Sequence, residues 1–183
     1  MKHHSIELVA HQELTEADLG GLRQLFDSEY LEEFGEWDPQ QPYGYAPHDV
    51  HIMARIQGRI VGHVGWARRE TAVGTEALAI AGVGGVLISA DARRMRLGGE
   101  LMGRAVQSMR DRGRVAFGYL GCREQVVPFY EQCGWKRILA REKSIGRDGE
   151  PVVDEPGPPI LILPIAPLGP WPEGDIDLRG RAW

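Results

Sequence analysis

The sequence predicts a mixed α/β fold, a sheet with helices on both of its faces. Three observations predict it. Hydrophobic periodicity switches between the strand repeat and the helix repeat, giving the order β-α-loop-β-β-β-α-β-α-β-β. A strand–helix–strand unit occupies the middle of that order, at 77–120. The length of 183 residues suits one hydrophobic core, so 1–183 is expected to be a single domain with 169–183 as a packed C-terminal tail.

Ile6–His11 alternates as a strand does. Thr15 is placed to cap a helix, Glu16 and Asp18 suit its positive end, and Leu19, Leu22, Leu25 and Phe26 recur at helical spacing through Tyr30. Leu31–His48 mixes Glu32, Glu33, Glu36 and Asp38 with Phe34, Trp37, Tyr43 and Tyr45 and carries three prolines, so a loop or broken helix is expected. That loop is either a surface for a cationic, ring-containing ligand or a solvated segment pinned by its aromatics. Val50–Ile56, Gln57-Gly58 and Ile60–Glu70 read as a β-hairpin.

After a turn near Gly74-Thr75, Ala77–Ser89 has the small and β-branched residues of a central strand. Gly82, Gly84 and Gly85 within it predict a bulge, or a place where a ligand or backbone comes close. Leu97–Arg112 is helical, with Leu101, Ala105 and Met109 on one face. Val115–Leu120 reads as a strand, Glu124–Cys133 as a short helix closed by Gly134, and Lys136–Lys143 as a strand. Arg147–Pro158 is polar and proline-rich, hence a loop, and Ile160–Ile165 is the final strand. Trp171, Ile176 and Trp183 predict that the tail packs against the domain.

A net charge of −5 argues against a nucleic-acid partner held by a basic surface. Cys122 and Cys133 lack metal-ligand spacing, so no metal is expected, and two isolated cysteines suit a reducing compartment. No apolar leader follows Met1, and the glycine-broken run 77–88 is too short to span a bilayer. A cytoplasmic chain without a membrane partner is expected.

The chemistry is concentrated after the central strand, in Arg93-Arg94-Met95-Arg96-Leu97-Gly98-Gly99. A helix begins here at a glycine pair beside three arginines. Free N–H groups, the positive dipole end and full cationic charge converge, which suits phosphate or pyrophosphate. The alternative is a basic helix start with no ligand. The turn is neither a P-loop nor a dinucleotide fingerprint, because GxxxxGK[ST] and GxGxxG are both missing.

Val86-Leu87-Ile88, Asp91, Arg93 to Gly98, and Leu101-Met102 together resemble the acyl-CoA motif of the GNAT (Gcn5-related) N-acetyltransferases, R/Q-x-x-G-x-G/A after a bulged strand. Arg93 and Gly98 match, and Arg96 replaces the middle glycine. The resemblance implies a central, mostly antiparallel sheet splayed at the cofactor site. It implies acetyl-CoA as cofactor, with Val86, Leu87 and Ile88 along the pantetheine arm and Arg93, Arg94, Met95, Arg96, Leu97, Gly98 and Gly99 at the pyrophosphate. It also implies a small-molecule amine as acceptor, and homodimers are common in the family.

Acyl transfer to an amine needs a base for the ammonium and an acid for the leaving thiolate. Phe129-Tyr130-Glu131-Gln132-Cys133-Gly134-Trp135 resembles the GNAT segment whose tyrosine is the general acid, which assigns that role to Tyr130; otherwise Tyr130 is a core aromatic. The strand glutamate that many GNAT enzymes use as base has no counterpart in Ala81–Gly85. Candidates are Glu33, Asp38, His63 and the terminal carboxylate of Trp183, or a water relay.

Two subfamilies look similar. Aminoglycoside 2′-N-acetyltransferases share the acid pair near Glu33 and Asp38, the arginine-rich turn and a terminal tryptophan, so Glu33, Trp37, Asp38 and Trp183 are candidate substrate contacts. Nodulation-type N-acyltransferases resemble the chain at Gly62–Arg69 and Leu163–Asp177. The resulting expectation is acetylation of an amino-sugar or aminoglycoside amine. The alternatives are a fatty N-acyltransferase acting on an oligosaccharide amine, and a non-catalytic acyl-CoA-binding module.

Overall fold

The structure, a computed structural model, describes residues 3–167 and 169–183. The chain opens with strand β1, His4–Ala10, and then helix α1, Glu16–Phe34. Thr15 caps α1 through a reciprocal pair of bonds, its hydroxyl accepting from Asp18 N at 3.1 Å while the Asp18 carboxylate accepts from Thr15 N at 2.9 Å. The helix runs one turn past Tyr30, so Leu31–Phe34 is helical and the segment expected as a loop or broken helix is a loop only from Gly35 onward. Gly35, at φ +80°, ends it.

Three antiparallel strands follow, β2 (Val50–Ile56), β3 (Arg59–Val73) and β4 (Glu76–Ile88). Then come α2 (Leu97–Ser108), prolonged by a wide turn over Met109–Gly113, strand β5 (Phe117–Gly121) and helix α3 (Val127–Gln132). The expected strand Lys136–Lys143 is two strands, β6 (Lys136–Ile138) and β7 (Glu142–Ile145), which join different parts of the sheet. The expected loop Arg147–Pro158 contains β8 (Pro151–Asp154), the return strand of a hairpin with β7. β9 (Ile160–Pro164) and β10 (Ile176–Arg181) complete the fold.

All ten strands join one sheet, in the path β6-β9-β5-β4-β3-β10-β7-β8, with β2 and β1 also reached from β3. Pairing is antiparallel except β4 with β5 and β10 with β7. The tail thus enters the sheet as β10, between β3 and β7.

The pleat divides the core between the faces. On one face Ala81, Val83, Leu120 and Leu161 pack with Leu97, Leu101 and Met102 of α2 and with Tyr130 and Trp135. On the other, Met53, Ile60 and Leu87 pack under Leu22, Leu25 and Phe26 of α1, while Ile80, Phe117, Tyr119 and Ile162 pack against the tail residues Ile176, Leu178 and Trp171. Helices therefore do cover both faces.

Candidate active site

Two irregularities in β4 create the site. β4 and β5 pair only at Ile80–Phe117, Ala81–Gly118 and Gly82–Tyr119, and their remaining lengths diverge. β4 also slips in register against β3: His63 pairs with Leu87 but Gly65 with Gly84, so β4 carries one extra residue there. Gly85, at φ +58°, supplies the left-handed bulge residue.

At the end of β4 the chain turns through Arg93–Arg96 into α2. Arg94 (φ 69°) and Arg96 (φ 63°) both occupy the left-handed region. Arg96 is the N-cap of α2 and its side chain makes no capping bond. Arginine thus adopts the conformation that the family's middle glycine would supply, at a cost of roughly 1–2 kcal/mol per such residue. Arg94 and Arg96 are exposed and make no ion pair among the described residues. Beside Gly99 the space a Cβ would fill is open, whereas Gly98 sits against the Phe129 ring, 3.2 Å from its would-be Cβ.

An uncapped helix start, two unpaired guanidinium groups and an open glycine fit a pyrophosphate. Arg93 is differently placed: its Nη2 bonds Glu29 at 2.8 Å and its Nε donates to Ile88 O at 3.2 Å, tying the turn to α1. Leu97 is buried and Met95 half-buried, so these two anchor the turn. Val86 and Ile88 are half-buried, and Leu87 is buried under α1.

Tyr130 lies in the core under α2, with its ring edge-on to Phe129 at 5.0 Å and Trp135 at 6.3 Å. Burial, with Cys122, Cys133 and Tyr30 nearby, pushes its hydroxyl well above the usual phenol range, so it is protonated at neutral pH.

On the α1 face a cleft of about 520 Å³ opens onto β4 at Val83, Gly85 and Val86. Its walls include Tyr30, Phe34, Tyr43, Tyr45 and Trp183, and its floor reaches Tyr119 and Leu120 on the far side of the splay. Glu142, Asp154 and Glu155 bring carboxylates to it. The Tyr119 hydroxyl donates to Glu142, whose pKa is raised chiefly by burial.

Distant segments stitch the walls together. Arg181 Nη1 donates to Gly44 O at 2.7 Å, Ala46 N donates to Ala182 O at 2.8 Å, and Arg147 stacks over Phe34 at 5.1 Å and Tyr45 at 5.4 Å. Arg69 donates to Leu178 O and Arg181 O and stacks 3.9 Å over the Trp183 ring.

Trp183 explains two of the glycines. A Cβ at Gly82 would lie 2.0 Å from its ring, and one at Gly84 2.7 Å from its carbonyl carbon. The close approach that the glycines predicted is made by the tail of the chain itself.

The other acceptor candidates lie elsewhere. Glu33 and Asp38 are exposed and neither lines the cleft; the Asp38 carboxylate accepts from Gln40 N at 2.8 Å, a local turn bond. Trp37 is 2% exposed and stacked on Phe26 at 5.2 Å, so its ring belongs to the core under α1. Phe34, Tyr43 and Tyr45 of the same segment do face the cleft.

His63 is 1% exposed and part of a ladder. Its Nδ1 lies 2.7 Å from Gly85 O, its Nε2 2.9 Å from His51 Nδ1, His51 Nε2 3.0 Å from His11 Nδ1, and His11 Nε2 3.3 Å from the Gln40 amide. A carbonyl only accepts, so His63 Nδ1 carries the hydrogen. His63 Nε2 then accepts from His51 Nδ1–H, and the same logic passes outward to Gln40. Burial pushes His63 down to about 4 and His51 to about 2, which keeps both rings neutral. Because the inner end is pinned to a carbonyl, the ladder holds the β4 bulge and offers His63 no lone pair for an incoming proton.

A neighbour, His48, also lines the cleft, with its buried Nε2 unpartnered among the described residues. Sequence reading missed His11, His48 and His51, and with them Glu142, Asp154 and Glu155. The available signal was that all six of the chain's histidines fall on or beside the first three strands.

Comparison with known proteins agrees with this geometry. A model of the GNAT acetyltransferase domain matches residues 11–138. The comparison with curated proteins found no match. Solved structures with a similar fold include Escherichia coli ElaA, with 18% identity over 87% of this chain and 98% of that one and a TM-score of 0.62. E. coli YhbS in complex with CoA shares 15% identity over 97% and 91%, with a TM-score of 0.64. A GNAT acetyltransferase from Brucella melitensis in complex with acetyl-CoA shares 15% over 95% and 96%, with a TM-score of 0.59.

The fold and the splayed, bulged site define an acyl-CoA N-acyltransferase. The chain belongs to the GNAT acetyltransferase family, and acetyl-CoA is the cofactor that this membership brings. No helix among the described residues is long and apolar enough to cross a membrane.

Proposed function

We propose that the protein acetylates a primary amine of a small molecule, with an amino sugar or aminoglycoside as the acceptor class. The observation that carries this reading is the cleft on the α1 face. It opens onto the β4 bulge, is walled by Tyr30, Phe34, Tyr43, Tyr45 and Trp183, and holds Glu142, Asp154 and Glu155. Aromatic faces suit sugar rings and carboxylates suit ammonium groups.

Bound acetyl-CoA supplies the activated acetyl group. The amides of 97–99 with Arg94 and Arg96 would hold its pyrophosphate, and the β5-facing edge of β4, unpaired beyond Gly82, would take its arm in the manner of an added strand. The carboxylates orient the acceptor. Tyr130, protonated at neutral pH, is the donor to the leaving sulfur.

The test is release of free thiol from acetyl-CoA with kanamycin, tobramycin, glucosamine and an N-terminal alanine peptide. Turnover of the amino-sugar amines is expected. Turnover confined to the peptide would replace the acceptor class, and no turnover with any amine alongside tight acetyl-CoA binding would favour a non-catalytic acyl-CoA module.

A further inference from the structure

We propose that His48 is the proton acceptor for the attacking amine, standing where the family's strand carboxylate is missing. The inference rests on the acyl-transfer reading above. It follows from where the imidazole sits and from what it lacks.

His48 is 5% exposed, lines the cleft, and its Nε2 is buried with no hydrogen-bond partner among the described residues. A buried polar nitrogen left unpaired costs roughly 1–3 kcal/mol. Neighbouring histidines do not share this state: His51 and His63, whose rings centre 5.9 Å from that of His48, have both nitrogens engaged in the ladder.

The glycines around His48 form its slot. A Cβ at Gly65 would stand 2.4 Å from its Cγ, one at Gly84 2.9 Å from Nε2 and 2.7 Å from the Trp183 carbonyl carbon, and one at Gly85 3.2 Å from Cε1 and 3.0 Å from His63 Nδ1. Gly84 and Gly85 are the β4 residues at the bulge, where a strand side chain would otherwise project. The imidazole enters that volume from the loop before β2 and shares it with the Trp183 main chain and the His63 ring, so the bulge receives a nitrogen base where the strand has no side chain of its own. Gly85 O is meanwhile fixed by His63, which holds the bulge against which His48 rests.

Burial and the nearby His63 and His11 push His48 down to about 3, so it enters each cycle neutral. The ammonium carries three protons. His48 Nε2 takes one, freeing the nitrogen lone pair for the bond to the acetyl carbon. The C–S electron pair leaves with sulfur, which Tyr130 protonates. The nitrogen sheds a second proton after bond formation, and this restores Tyr130 through solvent. The third stays on the amide, and His48 releases its proton to bulk water.

The test uses His48→Leu and His48→Ala in the full chain, with the same four amines, acetyl-CoA titration and thermal unfolding. In both variants kcat/KM is expected to fall roughly 100-fold or more on any amine the parent uses, with acetyl-CoA affinity within about three-fold. His48→Leu, which removes the unpaired nitrogen, is expected to keep or raise the melting temperature, and imidazole in solution is expected to restore turnover to His48→Ala. Turnover within about three-fold of the parent in either variant overturns the proposal. So does a lowered melting temperature in His48→Leu, whether or not the parent accepts any of the amines. A parent inert on all four amines fails the acceptor reading, not this stability result.

Discussion

His63 Nδ1 donates to the carbonyl of Gly85 across 2.7 Å, and this bond fixes the bulge from which the cofactor strand and the acceptor cleft both take their shape. Removing it leaves a buried carbonyl and a buried His51 N–H without partners. His63→Leu is expected to lose roughly 2–4 kcal/mol of stability, measured by chemical denaturation. Its acetyl-CoA affinity falls as well, because the bulge relaxes. Equal denaturation midpoints in parent and variant would show that the bulge stands without the ladder.

Acid sensitivity follows from the same cluster. In the unfolded chain each histidine takes a proton near 6.5, whereas the folded values are about 4 at His63, about 3 at His48 and about 2 at His51. The unfolded state therefore binds more protons between these limits. The contribution to stability is complete above about pH 6.5 and is lost as pH falls toward 4, at roughly 1.4 kcal/mol per pH unit for each ring. Urea midpoints measured between neutral pH and about pH 4.5 should fall steadily. A flat profile across that window would mean that these rings charge without opening the fold.

Arg96 carries a positive φ and a charge, and one substitution separates the two. Arg96→Gly is expected to raise stability by up to roughly 1 kcal/mol through relief of left-handed strain. It is also expected to weaken acetyl-CoA binding several-fold and to reduce the salt dependence of that binding. Thermal unfolding and calorimetric titration at two ionic strengths read both effects. Unchanged affinity would remove the Arg96 side chain from the pyrophosphate site.

Gly82 is the floor for Trp183. In Gly82→Ala the new methyl meets the indole at 2.0 Å, so the ring must leave its place under the Arg69 guanidinium. A cost of roughly 1–3 kcal/mol is expected, with a raised KM for the amine and little change for acetyl-CoA. Tryptophan fluorescence and steady-state kinetics check this, and an unaltered KM would place the acceptor away from Trp183.

Tyr130→Phe keeps the buried ring and removes only the hydroxyl. With the donor gone, kcat is expected to drop by roughly 10²-fold while acetyl-CoA affinity holds. A kcat unchanged from the parent would return Tyr130 to a purely packing role.

Local patterns made the frame legible. Thr15 with Asp18, the Gln57-Gly58 hairpin, the Leu101–Ala105–Met109 face and the β4 glycines each encode their element in neighbouring residues. Long-range pairing was not legible. Glu142–Ile145 is a strand because β10, some thirty residues later, pairs with it in parallel, and Pro151–Asp154 is a strand because it folds back on β7. Trp37 looked like a ligand platform because exposure cannot be read from an acidic, aromatic loop; its ring closes the core under α1 instead. The ladder escaped notice because His11, His51 and His63 are isolated in sequence and meet only through strand register.

The central claim, that acetyl-CoA lies along the β4 bulge with its pyrophosphate at the start of α2, is tested most directly by amide chemical shifts during a titration with coenzyme A. The largest changes are expected at Gly85–Ile88 and Arg94–Gly99, with smaller ones in β1 and β8. Shifts concentrated elsewhere, with 94–99 unmoved at saturation, would contradict it.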